Sequence, residues 1–290
     1  MIETIRHRLP HGIELSCRVS GTPGQPVLLF LHGFPEAAFA WDELLAHFAQ
    51  TEHGGYRCVA PNLRGFADSS SPADVAAYRA KHLVQDVLSL IDAESSSAPL
   101  AALVAHDWGG AVAWNFAATR PERISHLILV DSSGFGGGGP QPLIARLTRL
   151  PVVGDLGIWF KPELLVRDSL LDAYGDPAMV TPERVRRFAE LQRFPGNRHA
   201  TLLRARTQEP LDTSVLKRLD VPTLILWGAR DRWTPPANAF RFQQTIRASR
   251  VAIFEKLGHN PMEEDSKATA AAVDAFLPDR KSTRLNSSHT

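Results

Sequence analysis

Short apolar runs alternate along this chain with longer segments of helical periodicity. A continuous apolar run of strand length indicates a strand buried on both faces of a sheet. Such strands separated by helices are typical of an α/β fold, a mostly parallel sheet with helices on both faces. The runs cover residues 26–33, 56–63, 100–107, 124–131, 222–231 and 250–259. The opening residues, 2–21, predict instead an antiparallel hairpin at one edge.

The alternation breaks between residues 134 and 212. The first residues of this segment, 134–140, read GFGGGGP, a composition typical of a flexible hinge. Helical patterns follow at residues 162–174, 181–194 and 199–208, with no convincing strand. We therefore predict a helical lid, residues 134–212, inserted after the sixth strand of a core made of residues 1–133 and 213–278.

The last residues, 279–290, are polar and lack any helical or strand period. This composition is typical of a disordered tail. Residues 279–289 also match the translation of a sequencing adapter, so we interpret 279–290 as a non-native tail that takes no part in the fold.

The composition excludes several classes of function. The 32 basic and 31 acidic residues give a formal net charge of +1, so no basic field attracts nucleic acid or an anionic membrane. No apolar run reaches membrane-spanning length and no signal peptide is visible, so a cytoplasmic protein is expected. Cys17 and Cys58 lie in apolar runs and are expected to be buried free thiols. Monomer and homodimer both stay open.

The segment VAHDWGGAVAW, from Val104 to Trp114, predicts a strand end, a tight turn and a helix start. Asp107 stands in the turn between Ala105 and Gly109, a small-x-nucleophile-x-Gly pattern. Small residues suit this pattern because a sharp turn exposes the nucleophile above the sheet. The positive field of the helix N-terminus favours an anion there. An N-cap without catalytic role is the alternative interpretation of this Asp.

Further features in the expected chain order favour the nucleophile. The turn HGFPE, residues 32–36, follows a core strand, and the backbone N–H groups of Phe34 and Trp108 could form an oxyanion hole. Asp231 closes the run TLILWGARD and could orient an imidazole. His259 lies in a turn after the last strand, where a catalytic base is expected. The predicted lid is the fourth feature.

With these residues the chain resembles the α/β-hydrolase superfamily over residues 2–277. The segments HGFPE, HDWGGAVAW and RPER are most similar to the epoxide hydrolases and, more distantly, to the haloalkane dehalogenases, the branch with an Asp nucleophile. The resemblance implies a catalytic triad of Asp107 as nucleophile, His259 as base and Asp231 as orienting acid. It also implies that Phe34 and Trp108 are the oxyanion donors.

Asp131, which ends an earlier strand, is a rival for the acid because some relatives place theirs there.

The chemistry implied by an Asp nucleophile differs from that of a serine. A carboxylate is already ionised at neutral pH and can displace a leaving group at saturated carbon, which gives an alkyl ester on Asp107. Water activated by His259 would then hydrolyse that ester.

The leaving group depends on the donors that the site offers. An epoxide leaves an alkoxide, which relatives protonate with two lid tyrosines, and Tyr174 is the tyrosine in this lid. A halide needs N–H donors, for which Trp108 and the lid residue Trp159 are candidates. Phe34 stands where many dehalogenases carry an Asn, which favours an epoxide with Tyr174 as the acid. The paired arginines with which fluoroacetate dehalogenases hold a carboxylate are absent, since Gly110 and Ala113 follow Asp107, so a neutral substrate is expected.

His32 begins the turn of residues 32–36, here called the oxyanion turn, and His106 precedes the nucleophile. Both are predicted, together with Trp159, to contact the small organic substrate. The reaction needs water and no cofactor or metal. Haloalkane dehalogenation is the alternative within the same branch. A protein of another class also stays open, an inactive α/β-hydrolase-like protein that binds a small ligand.

Overall fold

The computed structural model describes residues 1–95, 98–135, 146–147, 149–150, 152–159, 163–191, 193–206 and 211–278. Within these ranges, the side chains of residues 75, 157–159, 195, 199–200 and 203–205 are not described. The predicted tail, residues 279–290, and most of the predicted hinge lie outside the described residues.

Eight strands form one sheet. They are β1 Glu3–Arg8, β2 Glu14–Ser20, β3 Val27–Leu31, β4 Arg57–Pro61, β5 Ala102–His106, β6 Leu127–Val130, β7 Thr223–Gly228 and β8 Ser249–Phe254. Their order in the sheet is β1-β2-β4-β3-β5-β6-β7-β8. β2 pairs antiparallel with both β1 and β4, and every other neighbouring pair is parallel. The predicted mostly parallel sheet with an antiparallel hairpin at one edge is thus confirmed.

Helices connect the strands. They are α1 Asp42–Phe48, α2 Ala80–Ser95, α3 Asp107–Thr119, α4 Val153–Trp159, α5 Glu163–Ala173, α6 Pro182–Leu191, α7 Pro195–Arg206, α8 Ala237–Thr245, α9 Pro261–Glu264 and α10 Ser266–Asp274. Shorter 3-10 turns include Thr51–His53, which follows α1. In the part of the chain that the structure describes, no helix combines the length and the apolar character needed to cross a membrane.

The sheet separates two hydrophobic cores, because successive strand residues point to opposite faces. In β3, Leu29 and Leu31 pack on the side of Trp114 from α3. Leu28 and Phe30 pack on the other side, in the core that contains α1. Burial on both faces explains why the central strands are continuous apolar runs rather than alternating ones.

Helices α4 to α7 lie between β6 and β7 in the chain, in the segment predicted to be the lid. Apolar side chains of α5 and α6, among them Leu170 and Phe188, form a small separate core. The Phe188 ring meets the edge of the Phe39 ring at a centroid distance of 5.6 Å. Since Phe39 precedes α1, this contact joins the inserted helices to the sheet-bearing part of the molecule.

Candidate active site

Asp107 lies where β5 meets α3, at the carboxyl edge of the parallel strands. Its φ of +42° is in the left-handed region, which residues other than glycine rarely adopt. Gly109 permits the close turn, because a Cβ there would lie 2.5 Å from the carbonyl oxygen of His32. Backbone strain of this kind persists only where the surrounding structure holds it, and it is concentrated at functional sites.

Two donors from neighbouring loops hold the Asp107 carboxylate. The Phe34 N–H donates to Oδ2 at 3.1 Å, and the Ser133 hydroxyl donates to Oδ1. The Ser133 N–H also donates to the Asp107 carbonyl oxygen at 2.9 Å. This bond ties the loop after β6 to the turn between β5 and α3 that carries Asp107, here called the elbow. Asp107 Oδ2 therefore accepts a hydrogen bond from the Phe34 N–H, one of the two backbone donors predicted for the oxyanion hole. Trp108, the other predicted donor, follows in the first turn of α3, with its half-buried side chain against the core.

His259 and Asp231 form a buried pair, with 2.8 Å between Nδ1 and Oδ2. The Asp231 Oδ1 accepts hydrogen bonds from the N–H groups of Trp233 at 2.7 Å and Thr234 at 2.9 Å. Burial disfavours the Asp231 charge, but His259 and these donors outweigh it and lower the pKa. Burial also disfavours protonated His259, yet the charges of Asp231 and Asp107 raise its pKa to about 9.

His259 is therefore an imidazolium at neutral pH. Its Nε2 is buried and has no hydrogen-bond partner among the described residues. A buried N–H without a partner is costly, so such a group usually has a functional reason. The Asp107 charge is among the causes of the raised pKa, so Asp107 lies close enough to interact electrostatically with His259.

Asp131, the rival acid, follows β6 and is fully buried. Its Oδ1 accepts the Gly228 N–H at 3.0 Å, and its Oδ2 has no hydrogen-bond partner in the described ranges. Burial and, next, the negative charge of Asp231 raise the pKa of Asp131 well above its usual value, which favours the neutral form of this carboxyl. The structure brings His259 to Asp231 and leaves Asp131 as a neutral neighbour of that pair.

A buried pair of Glu36 and His106 connects three loops of the site. His106 Nδ1 lies 2.9 Å from Glu36 Oε2, which also accepts the Gly33 N–H at 3.0 Å. His106 Nε2 lies 2.7 Å from the backbone carbonyl oxygen of His259. Burial disfavours the Glu36 charge, but the interaction with His106 outweighs it and lowers the pKa, so Glu36 is a carboxylate. The pair fixes the oxyanion turn, the elbow and the His259 loop relative to one another.

Substrate contact by His32 and His106 stays a prediction, and in the structure both rings bind the protein itself. Both side chains are fully buried. His32 Nδ1 lies 2.8 Å from the Gly33 carbonyl oxygen, and Nε2 accepts the Leu63 N–H at 3.0 Å. The two imidazoles position the loops that carry the site.

Tyr174 as the acid stays a prediction, and the structure does not bring its hydroxyl to Asp107. Its hydroxyl donates to Glu263 rather than to Asp107, and its side chain is buried. The cause lies at the end of α5, where the Ala173 carbonyl accepts the His259 N–H at 2.7 Å and docks this segment against the His259 loop. Burial and the Glu263 charge raise the pKa of Tyr174 well above its usual value, which makes it a weaker acid.

Trp159, the predicted halide donor, is the last residue of α4, and its side chain lies outside the described residues.

Sequence analysis did not identify Ser133, Trp233 or Glu36 as site residues. The Trp233 ring lies 5.1 Å from the His259 ring, and its Nε1 donates to Asp172 of α5 at 3.0 Å. A signal for Ser133 was present, because it follows a strand adjacent to β5 and must lie near the elbow. Trp233 occupies the position two residues after an Asp whose side chain accepts its N–H, a common turn.

Comparison with known proteins agrees with this geometry. Residues 28–272 match the Alpha/beta hydrolase family. The chain is 30% identical over 281 residues to Epoxide hydrolase 3 of Xenopus tropicalis, an alignment that covers 92% of this chain and 75% of the relative. It is 31% identical over 243 residues to AB hydrolase superfamily protein YfhM of Bacillus subtilis strain 168, covering 77% and 80%.

Among solved structures, epoxide hydrolase CorEH without ligand superposes with a TM-score of 0.78 at 20% sequence identity. The superposition covers 95% of this chain and 98% of the other, which shows a shared fold. The sheet order, the elbow and the family match lead to one conclusion: this chain belongs to the alpha/beta hydrolase family.

Proposed function

We propose that this protein opens a neutral epoxide through a covalent ester on Asp107. The observation that carries the proposal is a carboxylate at the strained elbow, with Oδ2 on the Phe34 N–H and the His259–Asp231 pair beside it. A carboxylate needs no deprotonation to attack saturated carbon. The name of the Xenopus tropicalis relative, an epoxide hydrolase, supports the substrate class.

In the first half-reaction, Oδ1 of Asp107 attacks a carbon of the epoxide ring and the bond from that carbon to the ring oxygen breaks. The ring oxygen leaves as an alkoxide and takes the Nε2 proton of the His259 imidazolium. The products are a hydroxyalkyl ester of Asp107 and a neutral His259. This step assigns the acid role to His259, because the Tyr174 hydroxyl donates to Glu263.

In the second half-reaction, neutral His259 takes a proton from water, and the hydroxide attacks the ester carbonyl carbon. The Asp107 charge that raised the pKa of His259 is absent in the ester, so the pKa is lower at this stage and the imidazole stays in the neutral form that can take a proton. The Phe34 N–H, with the Trp108 N–H, would hold the oxyanion. Collapse expels the diol oxygen, which takes the proton of the new carboxyl group. Asp107 is again a carboxylate and His259 again an imidazolium.

Two observations favour an epoxide over an alkyl halide. The imidazolium Nε2–H is a proton donor, which an alkoxide needs and a halide does not. Phe34 offers its backbone N–H and no side-chain donor that could bind a halide beside Trp108. A dehalogenase would therefore depend on Trp108 and Trp159.

The proposal is tested by assaying purified protein with styrene oxide and with 1-bromobutane. We expect diol from styrene oxide and little or no bromide release, with all activity lost in Asp107→Asn. Bromide release without diol formation would make the protein a dehalogenase. Saturable binding of styrene oxide without any turnover would identify the ligand-binding protein of the alternative class.

His259→Gln separates the two half-reactions. Its amide cannot protonate an alkoxide or activate water, so we expect alkylation by styrene oxide to slow by about 10²–10⁴-fold, the usual contribution of a positioned acid. 1-Bromobutane needs no proton, so whatever alkylation it gives in the wild type should persist in the variant as a mass increase on Asp107. Equal slowing with both electrophiles would contradict the acid role of His259.

A further inference from the structure

Two histidines and one aspartate meet on the surface outside the site built around Asp107. His47 lies in the last turn of α1, His53 in the 3-10 turn that follows, and Asp274 is the last residue of α10. All three side chains are partly exposed, with 26%, 33% and 34% of their surface accessible. Solvent and ions can therefore reach this group directly.

The two imidazoles converge on one carboxylate oxygen. Asp274 Oδ2 lies 2.7 Å from His47 Nε2 and 3.2 Å from His53 Nδ1. The rings stack face to face, with 3.6 Å between centroids and an interplanar angle of 27°. All three donor atoms lie within 4.8 Å of one another. A single small cation between them would satisfy all three at once.

Two other histidine–carboxylate pairs, outside the active site, are built differently. Asp86, bonded to His11, also binds the guanidinium of Arg64. Glu94, bonded to His7, also binds Arg57. Among the ion pairs of the described residues, Asp274 has two imidazoles as partners and neither a guanidinium nor an ammonium group. An arginine balances the negative charge of Asp86 and of Glu94, and we infer that a different cation has this role beside Asp274.

We propose that His47, His53 and Asp274 bind one divalent transition-metal ion, with Zn²⁺ the best fit. Two imidazole nitrogens and one carboxylate oxygen are ligands that Zn²⁺ accepts, with water in the remaining position. Tetrahedral bonds of the usual length separate ligand atoms by about 3.3 Å. The stacked rings must rotate apart before both nitrogens can point at one ion, which their partial exposure allows. The ion would clamp the end of α1 to α10.

This site is independent of the epoxide chemistry. That reaction needs no metal, and sequence analysis predicted none. A rival group of ligand atoms exists in the active site, where Asp131, Asp231 and His259 also lie within 4.8 Å of one another. There, however, all three side chains are buried, whereas those of the proposed site are partly exposed. The experiment must therefore tell the two groups apart.

The test is calorimetric titration of ZnCl₂ into the full chain, expressed without a polyhistidine tag and stripped with a chelator. We expect one Zn²⁺ per chain and, at about 100 times the dissociation constant, a rise of roughly 5 °C in melting temperature. MgCl₂ should give no shift, because Mg²⁺ prefers oxygen ligands.

His47→Gln and His53→Gln should each lower the Zn²⁺ affinity at least about tenfold and remove the melting-temperature rise, with epoxide turnover and chelator-stripped stability unchanged. His11→Gln, from a histidine–carboxylate pair with an arginine, is the matched control and should keep both signals. The proposal is overturned if the wild type binds no Zn²⁺, if both variants retain it, or if His259→Gln removes it instead.

Discussion

Asp231 and Asp131 follow neighbouring parallel strands and are both buried, yet they differ in charge. Asp231 accepts hydrogen bonds from the backbone N–H groups of Trp233 and Thr234 and pairs with the His259 imidazolium. Asp131 accepts a single backbone N–H and faces the negative charge of Asp231. The pKa of the Asp231 carboxyl is lowered and the pKa of the Asp131 carboxyl is raised.

The comparison shows that hydrogen-bond donors and neighbouring charges, rather than burial, separate the pKa values of the two carboxyls. Burial in a low dielectric raises the pKa of any carboxyl group, whereas hydrogen-bond donors and opposite charges lower it. The turn after β7 supplies those donors from its own backbone, and the turn after β6 does not. Four predictions test this difference, in order of decreasing effect.

Asp231→Asn should cause the largest loss. The amide cannot stabilise an imidazolium and can favour the wrong tautomer of His259, so kcat for epoxide hydrolysis should fall about 10⁴-fold, as in other triads. The variant should still fold, because Asn keeps the size of the side chain. Steady-state diol formation measures the effect. A variant within tenfold of wild type would mean that Asp131 can serve His259.

Glu36→Gln tests the third buried carboxylate, which pairs with His106 and the Gly33 N–H. Loss of its charge should loosen the oxyanion turn and reduce kcat by roughly 10²-fold, as a misplacement of about 1 Å does. Glu43→Gln, on the exposed face of α1, is the control and should have wild-type activity. An unchanged kcat in Glu36→Gln would contradict the positioning role of the Glu36–His106 pair.

The pH profile should distinguish the two aspartates without removing activity completely. Epoxide opening needs protonated His259, so kcat/KM should fall tenfold per pH unit above about pH 9. Removing the Asp231 charge lowers the pKa of His259, so the residual activity of Asp231→Asn should fall off at lower pH. Asp131→Asn should keep the wild-type profile. A profile that is flat through pH 10 would contradict the acid role of His259.

Asp131→Asn should have the smallest effect. The native carboxyl is already neutral, and an amide oxygen can still accept the Gly228 N–H. We expect kcat within about threefold of wild type and an equal or higher melting temperature, because a buried acid beside a second carboxylate is removed. A loss as large as that of Asp231→Asn would make the two carboxylates a single functional unit.

The sheet and its edge hairpin could be predicted because they depend on local patterns. β3 and β5 are five-residue buried runs, and the central strands needed no long-range information. The elbow could also be predicted, since small residues on both sides of Asp107 are typical of a sharp turn that larger side chains would block. Gly33 and Gly109 each face atoms that would lie less than 3 Å from an added Cβ.

The direction of individual side chains could not be predicted. Tyr174 follows a helical pattern that fits several orientations, and its position depends on the bond between the Ala173 carbonyl and the His259 N–H. His106 adjoins the nucleophile in sequence, yet β5 turns its ring toward Glu36. The charge of Asp131 depends on two strands, β6 and β7, that meet from distant parts of the chain, and no single segment of the sequence encodes it.

The central claim is that the Asp107 carboxylate bonds to the substrate. A single turnover of styrene oxide with enzyme in excess, in water labelled with the heavy oxygen isotope, tests it most directly. Ester hydrolysis at the Asp107 carbonyl carbon puts the label into Asp107, and the first diol carries an unlabelled oxygen from the protein. Mass spectrometry of the diol and of the peptide that contains Asp107 measures both. Label in the first-turnover diol, with none in Asp107, would show direct attack by water and contradict the ester mechanism.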